Sequence, residues 1–547
     1  MKKRGICIVL SAIMSIAILV SGCGQTKESS AGGFDINLDE LSVMEENTMP
    51  ITEEDITLDV WTSNYSQGYV KSYNEFEAFH ILADTTGVKL NFIHPTGNAN
   101  EQLNIMLVSG DYPDVIYHNW SPSNARKRIK EGVTYDLYPY VEKLAPNFRK
   151  VLEQPKFKNV FDALSAELPI LPIIRDDPRF NAYNSHFVRQ DWLDKVGLDV
   201  PETIDEWEVV LKAFRDNDLN GNGDTTDEVP FTSVKGGDAY RYAFASGFGA
   251  RDLGYQRDPD DPSKITHSVL RPEFKEYVTT LARWFKDGLL YSDYITSTAS
   301  VIDSLILNDC LGAAYTDNNN SLPKYILARP DMKLVAAPYP KNPNGLTYNP
   351  RNSFTDRLVT QYGVMITTNC KHPIEAIRYF DYLYSKEASD LMYWGEEGVS
   401  YTVEPDGSYK FTDMILNDPS GKSPYEAICK YMTNVGFTGM HQYMSMVGLE
   451  SNLSEDFKKI KDDAVNYALE LDGTISLAGV PTTVEEDQQT SQYSDLTDYL
   501  NSMFDKFIIG AEPIEGYDAF VEKCKELGLE EVIAIKQKAI DRMEASK

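Results

Sequence analysis

Apolar and polar positions alternate along ITLDVWTSNY, residues 56 to 65, which predicts a strand. A helical spacing follows in VKSYNEFEAFHILADTTG, then a second strand in VKLNFIHP, a helix in NEQLNIMLVSG and a third strand in DVIYHN. Strands that alternate with helices from the outset imply parallel pairing in an open α/β sheet. Ligands of such sheets lie in the crevice beyond the carboxyl ends of the strands, and that position selects Asn64, Tyr65, His118, Asn119 and Trp120.

A second α/β run opens with LPILPIIRDD (168 to 177) and SHFVRQDWLDKVG (185 to 197), and a helix starts behind Pro201 and Glu202. It continues through the helix PEFKEYVTTLARWFKDG and the strands LGAAYTD (311 to 317) and MKLVAAPYP (332 to 340). LVTQYGVMITTNC (358 to 370) predicts another strand and HPIEAIRYFDYLYSKEAS another helix, and from about residue 420 the pattern is mainly helical. No fixed-period repeat is visible, which disfavours a solenoid or a propeller.

The first 23 residues, MKKRGICIVLSAIMSIAILVSGC, join a cationic start to a short apolar run and small residues, the pattern of an export signal. Val20-Ser21-Gly22-Cys23 resembles the bacterial lipobox, in which cleavage before the cysteine leaves a lipidated N-terminus at Cys23. The alternatives are a lone membrane helix, for which the run is short, or an ordinarily cleaved signal. Residues 24 to 50 are small, polar and acidic and read as a tether. Cys310, Cys370, Cys429 and Cys524 are widely spaced without a CxxC pair, so buried free thiols or a single disulfide remain open and a zinc or redox motif is excluded.

The chain has 547 residues, room for two or more cores. Its 83 Asp and Glu against 52 Lys and Arg give a formal charge of -31, which argues against nucleic acid and anionic membrane surfaces as partners. At 42% hydrophobic and 11% aromatic residues it is nonetheless a folding sequence.

From Phe187 to Phe231 the chain reads FVRQDWLDKVGLDVPETIDEWEVVLKAFRDNDLNGNGDTTDEVPF, an R-x-DWL-x-x-x-G segment, a P-x-T-x-x-E-W helix start and an acidic Asn/Gly loop closing on DEVP. With GDYPDVIYHN, GEEGVSYTVEPDG and FIIGAEPIEGYDAFVEKCKELGLEEV, it resembles the family 1 extracellular solute-binding proteins, in their long lipoprotein branch serving ABC importers of oligosaccharides in Gram-positive bacteria. The resemblance implies an α/β, two-lobed, type II periplasmic-binding-protein-like fold with hinge strands and a helical C-terminal region. It implies a non-catalytic, monomeric binder anchored by lipid on the extracellular face of the cell membrane, which hands oligosaccharide to ABC transporter permease subunits. The expected division is a signal peptide over 1–22, a tether over 23–50, an N-lobe from 51–165 plus 356–390, a C-lobe over 166–355, and a mainly helical segment over 391–547 shared between the lobes.

In the acidic loop Asp218, Asn220, Asn222, Asp224, Asp227 and Glu228 offer oxygens at mostly alternate positions across Gly221 and Gly223, suited to wrapping a hard cation such as Ca2+. Against an EF-hand template, the register from Asp216 places Asp227 at the last ligand position and the register from Asp218 places Val229 there, so the loop is EF-hand-like. Asp218 is preferred as leader, with Asp224 giving its carbonyl, and the ion's role would be structural. The bland alternative is a solvated turn without metal.

Sugar recognition calls for aromatic faces beside planar polar groups at strand ends. The family implies contacts from Asn64, Tyr65, Asn119 and Trp120 after the early strands and from Asp317 and Asn318 after LGAAYTD, with Tyr240, Tyr242 and Tyr401 as further candidates. Trp192, Trp207 and Trp284 are assigned to the core. A glycan-degrading enzyme would need two carboxylates across a cleft, and Glu396-Glu397 or Asp317 fill that role poorly because neighbours on an extended segment point apart. A flytrap for peptide or metal is the other alternative, the metal version resting on His118 and His441.

Overall fold

The computed structural model describes residues 37–545 apart from 65–69, 155–166, 176–183, 318–321, 323–324, 327–328, 349–358, 421–426, 432–438, 443–454, 478–479 and 481. Its strands in chain order are β1 (Ile56–Trp61), β2 (Val88–Ile93), β3 (Val115–Asn119), β4 (Leu171–Arg175), β5 (Asn184–Arg189), β6 (Val229–Ser233), β7 (Tyr255–Arg257), β8 (Ile265–His267), β9 (Leu311–Asp317), β10 (Leu334–Ala337), β11 (Val359–Ile366), β12 (Tyr401–Val403), β13 (Tyr409–Phe411) and β14 (His441–Gln442). A six-stranded sheet in the order β14-β4-β11-β3-β1-β2 builds lobe 1, and a four-stranded sheet in the order β10-β5-β9-β6 builds lobe 2.

Alternation decides the faces: in β2, Val88, Leu90 and Phe92 are buried while Lys89, Asn91 and Ile93 are exposed. β5 is buried on both faces, Val188 toward the main core of lobe 2 and Phe187 toward a smaller one. The main core is closed by the helix Ile204–Asp216, whose N-terminus is fixed by a Thr203/Glu206 capping box, and by the helix Pro272–Lys286. Trp192, Trp207 and Trp284 are fully buried there, as their segments predict. The packing around Trp192 requires Gly312, because a Cβ on it would lie 2.4 Å from a ring carbon of Phe214 and 2.9 Å from the Trp192 indole.

The expected parallel pairing holds for β1 with β2 and β3, whereas β11 runs antiparallel to both β3 and β4. The reason is that β11 returns from lobe 2. The chain passes between the sheets three times: from β4 to β5, from β10 to β11, and from β14 to the helix Glu455–Leu469, which packs on lobe 2. From β11 to Met440 the chain again shares the core of lobe 1, including Trp394, Tyr401, Phe411 and Ile428, and the helices beyond 455 supply Val465, Leu500, Phe507 and Val532 to lobe 2.

Residues 37–50, expected within the tether, are packed on lobe 1 instead. Lys143 Nζ donates to Leu38 O at 2.7 Å and Leu41 O at 2.9 Å, and Leu38, Leu41 and Met44 lie against the core. Asn47 Nδ2 donates at 2.7 Å to Asp381 Oδ2, which also accepts from Asn147 Nδ2 at 2.9 Å, while Asp381 Oδ1 accepts from Phe148 N at 2.8 Å. A few apolar side chains in a polar stretch suffice for this because lysine and a buried carboxylate satisfy its backbone and amide groups. Residues 1–36, with the signal and Cys23, lie outside the described residues.

Candidate functional site

The strand directions locate the cleft. β4 and β14 leave lobe 1 by their carboxyl ends and β11 enters beside them, so the edge formed by the carboxyl ends of β1, β2, β3, β4 and β14 faces lobe 2. In lobe 2 the amino end of β5 receives the chain, and antiparallel β9 and β10 together with β6, parallel to β9, bring their carboxyl ends to the same edge. Two edges of strand termini therefore oppose each other, the placement at which open α/β sheets bind ligands.

On the lobe 1 edge, Asn119 ends β3 exposed, opposite Tyr362 of β11. Asn64, half-buried after β1, donates through Nδ2 to Val70 O at 3.0 Å and Lys71 O at 3.1 Å. Its side chain fastens the loop base at the cleft edge. Trp120 is only 3% exposed and packs with Trp61, Ile116, Ala125 and Met365, its indole N–H without a partner among the described residues. His118 lies between the two indoles, with ring centroids 6.2 Å from Trp61 and 5.3 Å from Trp120, and burial lowers its pKa. Its neighbours are aromatic, and among the described residues no group of three or more His, Cys, Asp or Glu side chains is placed to hold a metal.

Sequence reasoning missed Arg175 and Gln442. Arg175 ends β4 and its Nε donates at 2.9 Å to Gln442 Oε1 at the end of β14, a planar polar pair where both strands leave for lobe 2. RDD after an apolar strand was the available signal for Arg175; a two-residue strand gives none for Gln442.

On the lobe 2 edge, Asp317 pairs in register with Asn184; the Asp317 side chain, Tyr65 and Asn318 lie outside what is described. Tyr240 and Tyr242 are buried to 0% and 1% exposure. Tyr240 donates its hydroxyl to Asp505 Oδ1 at 2.7 Å beneath Arg241, and Tyr242 stands edge-on to Tyr315 and accepts from Asn184 Nδ2 at 3.5 Å. Tyr401, also buried, stacks on Tyr409 at 5.2 Å beside Trp394 in lobe 1. These three tyrosines and Trp120 thus carry core contacts, and the structure brings Asn64, Asn119, Arg175 and Gln442 together on one cleft edge. Glu396 and Glu397 are exposed in a turn preceding β12.

The acidic loop folds around its own oxygens. Asp218 accepts from the backbone N–H of Gly221, Asn222 and Gly223, and the amides of Asn220 and Asn222 both point at Asp227, the latter at 2.7 Å. Gly221 and Gly223 have φ of 79° and 90°, conformations that favour glycine. Asp224 turns outward to Thr226. Glu228 is buried, with 7% exposure; Oε1 accepts from Leu219 N at 2.8 Å, and Oε2 has no partner among the described residues. A buried carboxylate oxygen without a partner in an Asp/Asn/Gly loop is an atom that a cation would satisfy, although among the described residues the loop's carboxylates are not gathered into a group of three placed to hold a metal. Cys310 lies under the loop, its Sγ 3.6 Å from Asp227 Oδ2, and burial with that carboxylate pushes its pKa up to about 11. None of Cys310, Cys370, Cys429 and Cys524 forms a disulfide.

Comparison with known proteins agrees with this architecture. Residues 71–390 match the family model described as bacterial extracellular solute-binding protein. The fructooligosaccharide ABC transporter substrate-binding protein FusA of Streptococcus pneumoniae is 23% identical over 547 residues, covering 97% of each chain. Lipoprotein LipO of Bacillus subtilis is 23% identical over 550 residues, again 97% of each. Among solved structures, FusA in complex with kestose superposes with a TM-score of 0.71 at 23% identity, over 90% of this chain and 100% of that one. An EF-hand mutant of FusA with fructo-nystose gives 0.71 at 22% identity, with the same coverage. The alginate-binding protein AlgQ2 without calcium ion gives 0.71 at 22% identity, over 90% and 99%. The two-lobed α/β fold implied by the sequence is therefore observed, and the chain belongs to the bacterial extracellular solute-binding proteins.

Proposed function

We propose that this protein captures an oligosaccharide between its lobes and delivers it, chemically unchanged, to the permease of an ABC importer. The observation that carries the reading is the end-to-end similarity to FusA, a fructooligosaccharide binder, in a chain whose two strand-terminus edges oppose each other. The chemistry of the edge supports it: Asn64, Asn119, Arg175 and Gln442 supply planar donors and acceptors of the kind that pair with sugar hydroxyls. At about 0.3 kcal/mol per heavy atom, a trisaccharide supplies on the order of 10 kcal/mol, enough for micromolar affinity or tighter.

Lipidation of Cys23 would hold the protein on the outer face of a cell membrane, a reading supported by the lipobox-like Val20 to Cys23 and by similarity to a lipoprotein. Ca2+ is assigned to the 218–228 loop, with Asp218, Asn220, Asn222, Asp227 and Glu228 as side-chain ligands and Asp224 giving its carbonyl. Bound there it would supply positive charge that offsets the loop's carboxylates, a structural service to lobe 2.

The test is titration calorimetry with kestose, fructo-nystose, pectic and mucin oligosaccharides, and peptides of similar mass. Saturable sugar binding with quantitative recovery of intact sugar is the expected result. Binding of peptides alone, or cleavage of the sugar, overturns the reading.

A further inference from the structure

At the lobe 1 edge one histidine ties three segments together. His94, directly after β2, places Nδ1 2.8 Å from Thr62 O behind β1, and its Nε2 lies 3.1 Å from the backbone N–H of Tyr73. A backbone N–H can only donate, so Nε2 must be an unprotonated acceptor. The ring is then neutral, with its single proton on Nδ1 and donated to Thr62 O. Tyr73 stands edge-on to the ring at 5.0 Å and Phe92 lies parallel at 6.3 Å.

The segment fastened by Tyr73 is the far end of the loop whose near end is Asn64. The Asn64 amide spans to Val70 and Lys71, Glu75 Oε1 accepts from Lys71 N and Ser72 N, and Asn74 brackets Phe92 with bonds of 2.8 and 3.2 Å. His94 is the member that joins this base to the exit of β1, and the network holds Asn64 in its place on the cleft edge. Among the described residues, the elements around the ring are poor in charge. The β1 exit offers Thr62 and Ser63, the turn Tyr73–Glu75 offers Tyr73 and Glu75, and Glu75 is occupied by backbone N–H groups. Burial lowers the His94 pKa, opposed by the Thr62 carbonyl.

We infer that His94 is a positioning residue for ligand capture: neutral, it fastens the β1 exit to the Tyr73 turn, and protonation, by turning Nε2 into a donor facing a donor, unfastens that edge and weakens ligand binding. The inference rests on the cleft reading above and adds an acid-triggered release to it.

Its test has two arms on the full chain. Nitrogen-15 spectra of uniformly labelled protein report the tautomer, and the Tyr73 amide with it, without any ligand. An Nδ1–H tautomer whose titration moves the Tyr73 amide signal supports the inference. An Nε2–H tautomer, or titration that leaves the Tyr73 amide unmoved, overturns it whether or not a sugar has been found. In the second arm, affinity for kestose is measured from pH 7 to pH 5 for wild type, His94→Asn and His94→Phe. Wild type should lose up to about tenfold per pH unit below the His94 pKa. His94→Asn, with a fixed acceptor and donor, should bind without that pH dependence, and His94→Phe should bind weakly throughout. Equal pH dependence in wild type and His94→Asn overturns the coupling. If wild type binds no oligosaccharide at pH 7, the functional reading fails and the tautomer arm decides the inference alone.

Discussion

Lys130 Nζ of lobe 1 lies 2.9 Å from Glu485 Oε1 of lobe 2, an ion pair that joins the lobes outside the cleft. Lys130 ends the helix Pro122–Lys130, which starts at the cleft edge behind β3 and runs roughly 12 Å away from it. Arg126 on the same helix donates to Thr482 O. The helix carries Arg126, Lys127, Arg128 and Lys130, and the facing helix Val484–Ser491 opens with Glu485, Glu486 and Asp487. Opposite charges on the two lobes bias their spacing.

Reversing this charge should therefore open the molecule. In Glu485→Lys, small-angle scattering at low ionic strength should give a larger radius of gyration than wild type, with oligosaccharide affinity lower by a few-fold at most, since both partners are more than half exposed. At 1 M salt, where screening acts within about 3 Å, the difference should vanish. Identical scattering at low salt would refute an electrostatic bias.

Asp381 should give lobe 1 a pH-dependent stability. Burial raises its pKa from 3.8 to about 7 despite the donors from Asn47, Asn147 and Phe148. The folded chain thus retains a proton that the unfolded chain has released. The stabilisation is complete below the unfolded value and is lost as pH rises through the folded one, at about 1.4 kcal/mol per pH unit between them. Urea denaturation of wild type and Asp381→Asn at pH 5 and pH 7 checks this. The stability difference between them should shift with pH in wild type's disfavour, and a constant difference would count against the raised pKa.

Strands of lobe 1 were legible because burial on one face leaves an alternating pattern, and in lobe 2 β9 over Leu311–Asp317 coincides with LGAAYTD and is buried from Leu311 to Thr316. The carboxyl-end rule likewise located Asn64 and Asn119. Side-chain direction at a strand end was not legible: Asn119 and Trp120 are neighbours, yet one is exposed and the other joins a core built partly by Met365 and Ile170, far away in sequence. Tyr240 and Tyr401 turned inward for the same reason, since their partners Asp505 and Tyr409 are set by tertiary packing. Residues 37–50 read as tether because their anchors, Lys143 and Asp381, lie in other elements.

That split at Asn119 and Trp120 makes a sharp prediction. Trp120→Ala removes a buried indole and should cost about 3 to 5 kcal/mol of stability in urea denaturation. Asn119→Ala changes an exposed side chain and should cost less than about 0.5 kcal/mol while weakening oligosaccharide binding in calorimetry. A Trp120→Ala protein of unchanged stability with selectively lost affinity would restore the indole as a stacking platform.

The acidic loop should couple calcium to the stability of lobe 2. Without a cation, one Glu228 oxygen is buried with no partner among the described residues, an arrangement costing about 1 to 3 kcal/mol for the unmet oxygen alone. A cation that binds only the folded chain stabilises it by about 2.7 kcal/mol at a concentration one hundred times its dissociation constant. Adding calcium to chelator-treated protein should therefore raise the melting temperature, and magnesium, which demands six tight ligands and sheds water reluctantly, should do so less. Glu228→Gln keeps the hydrogen bond to Leu219 N through its carbonyl oxygen but removes the charge, so it should melt near the calcium-free wild type and respond weakly to the ion. Asp218→Ala, which also frees the N–H groups of Gly221, Asn222 and Gly223, should lose the response entirely and melt lower still. Wild type that melts at the same temperature with calcium and with chelator would show the loop to be a self-satisfied turn, with the Glu228 oxygen met by water.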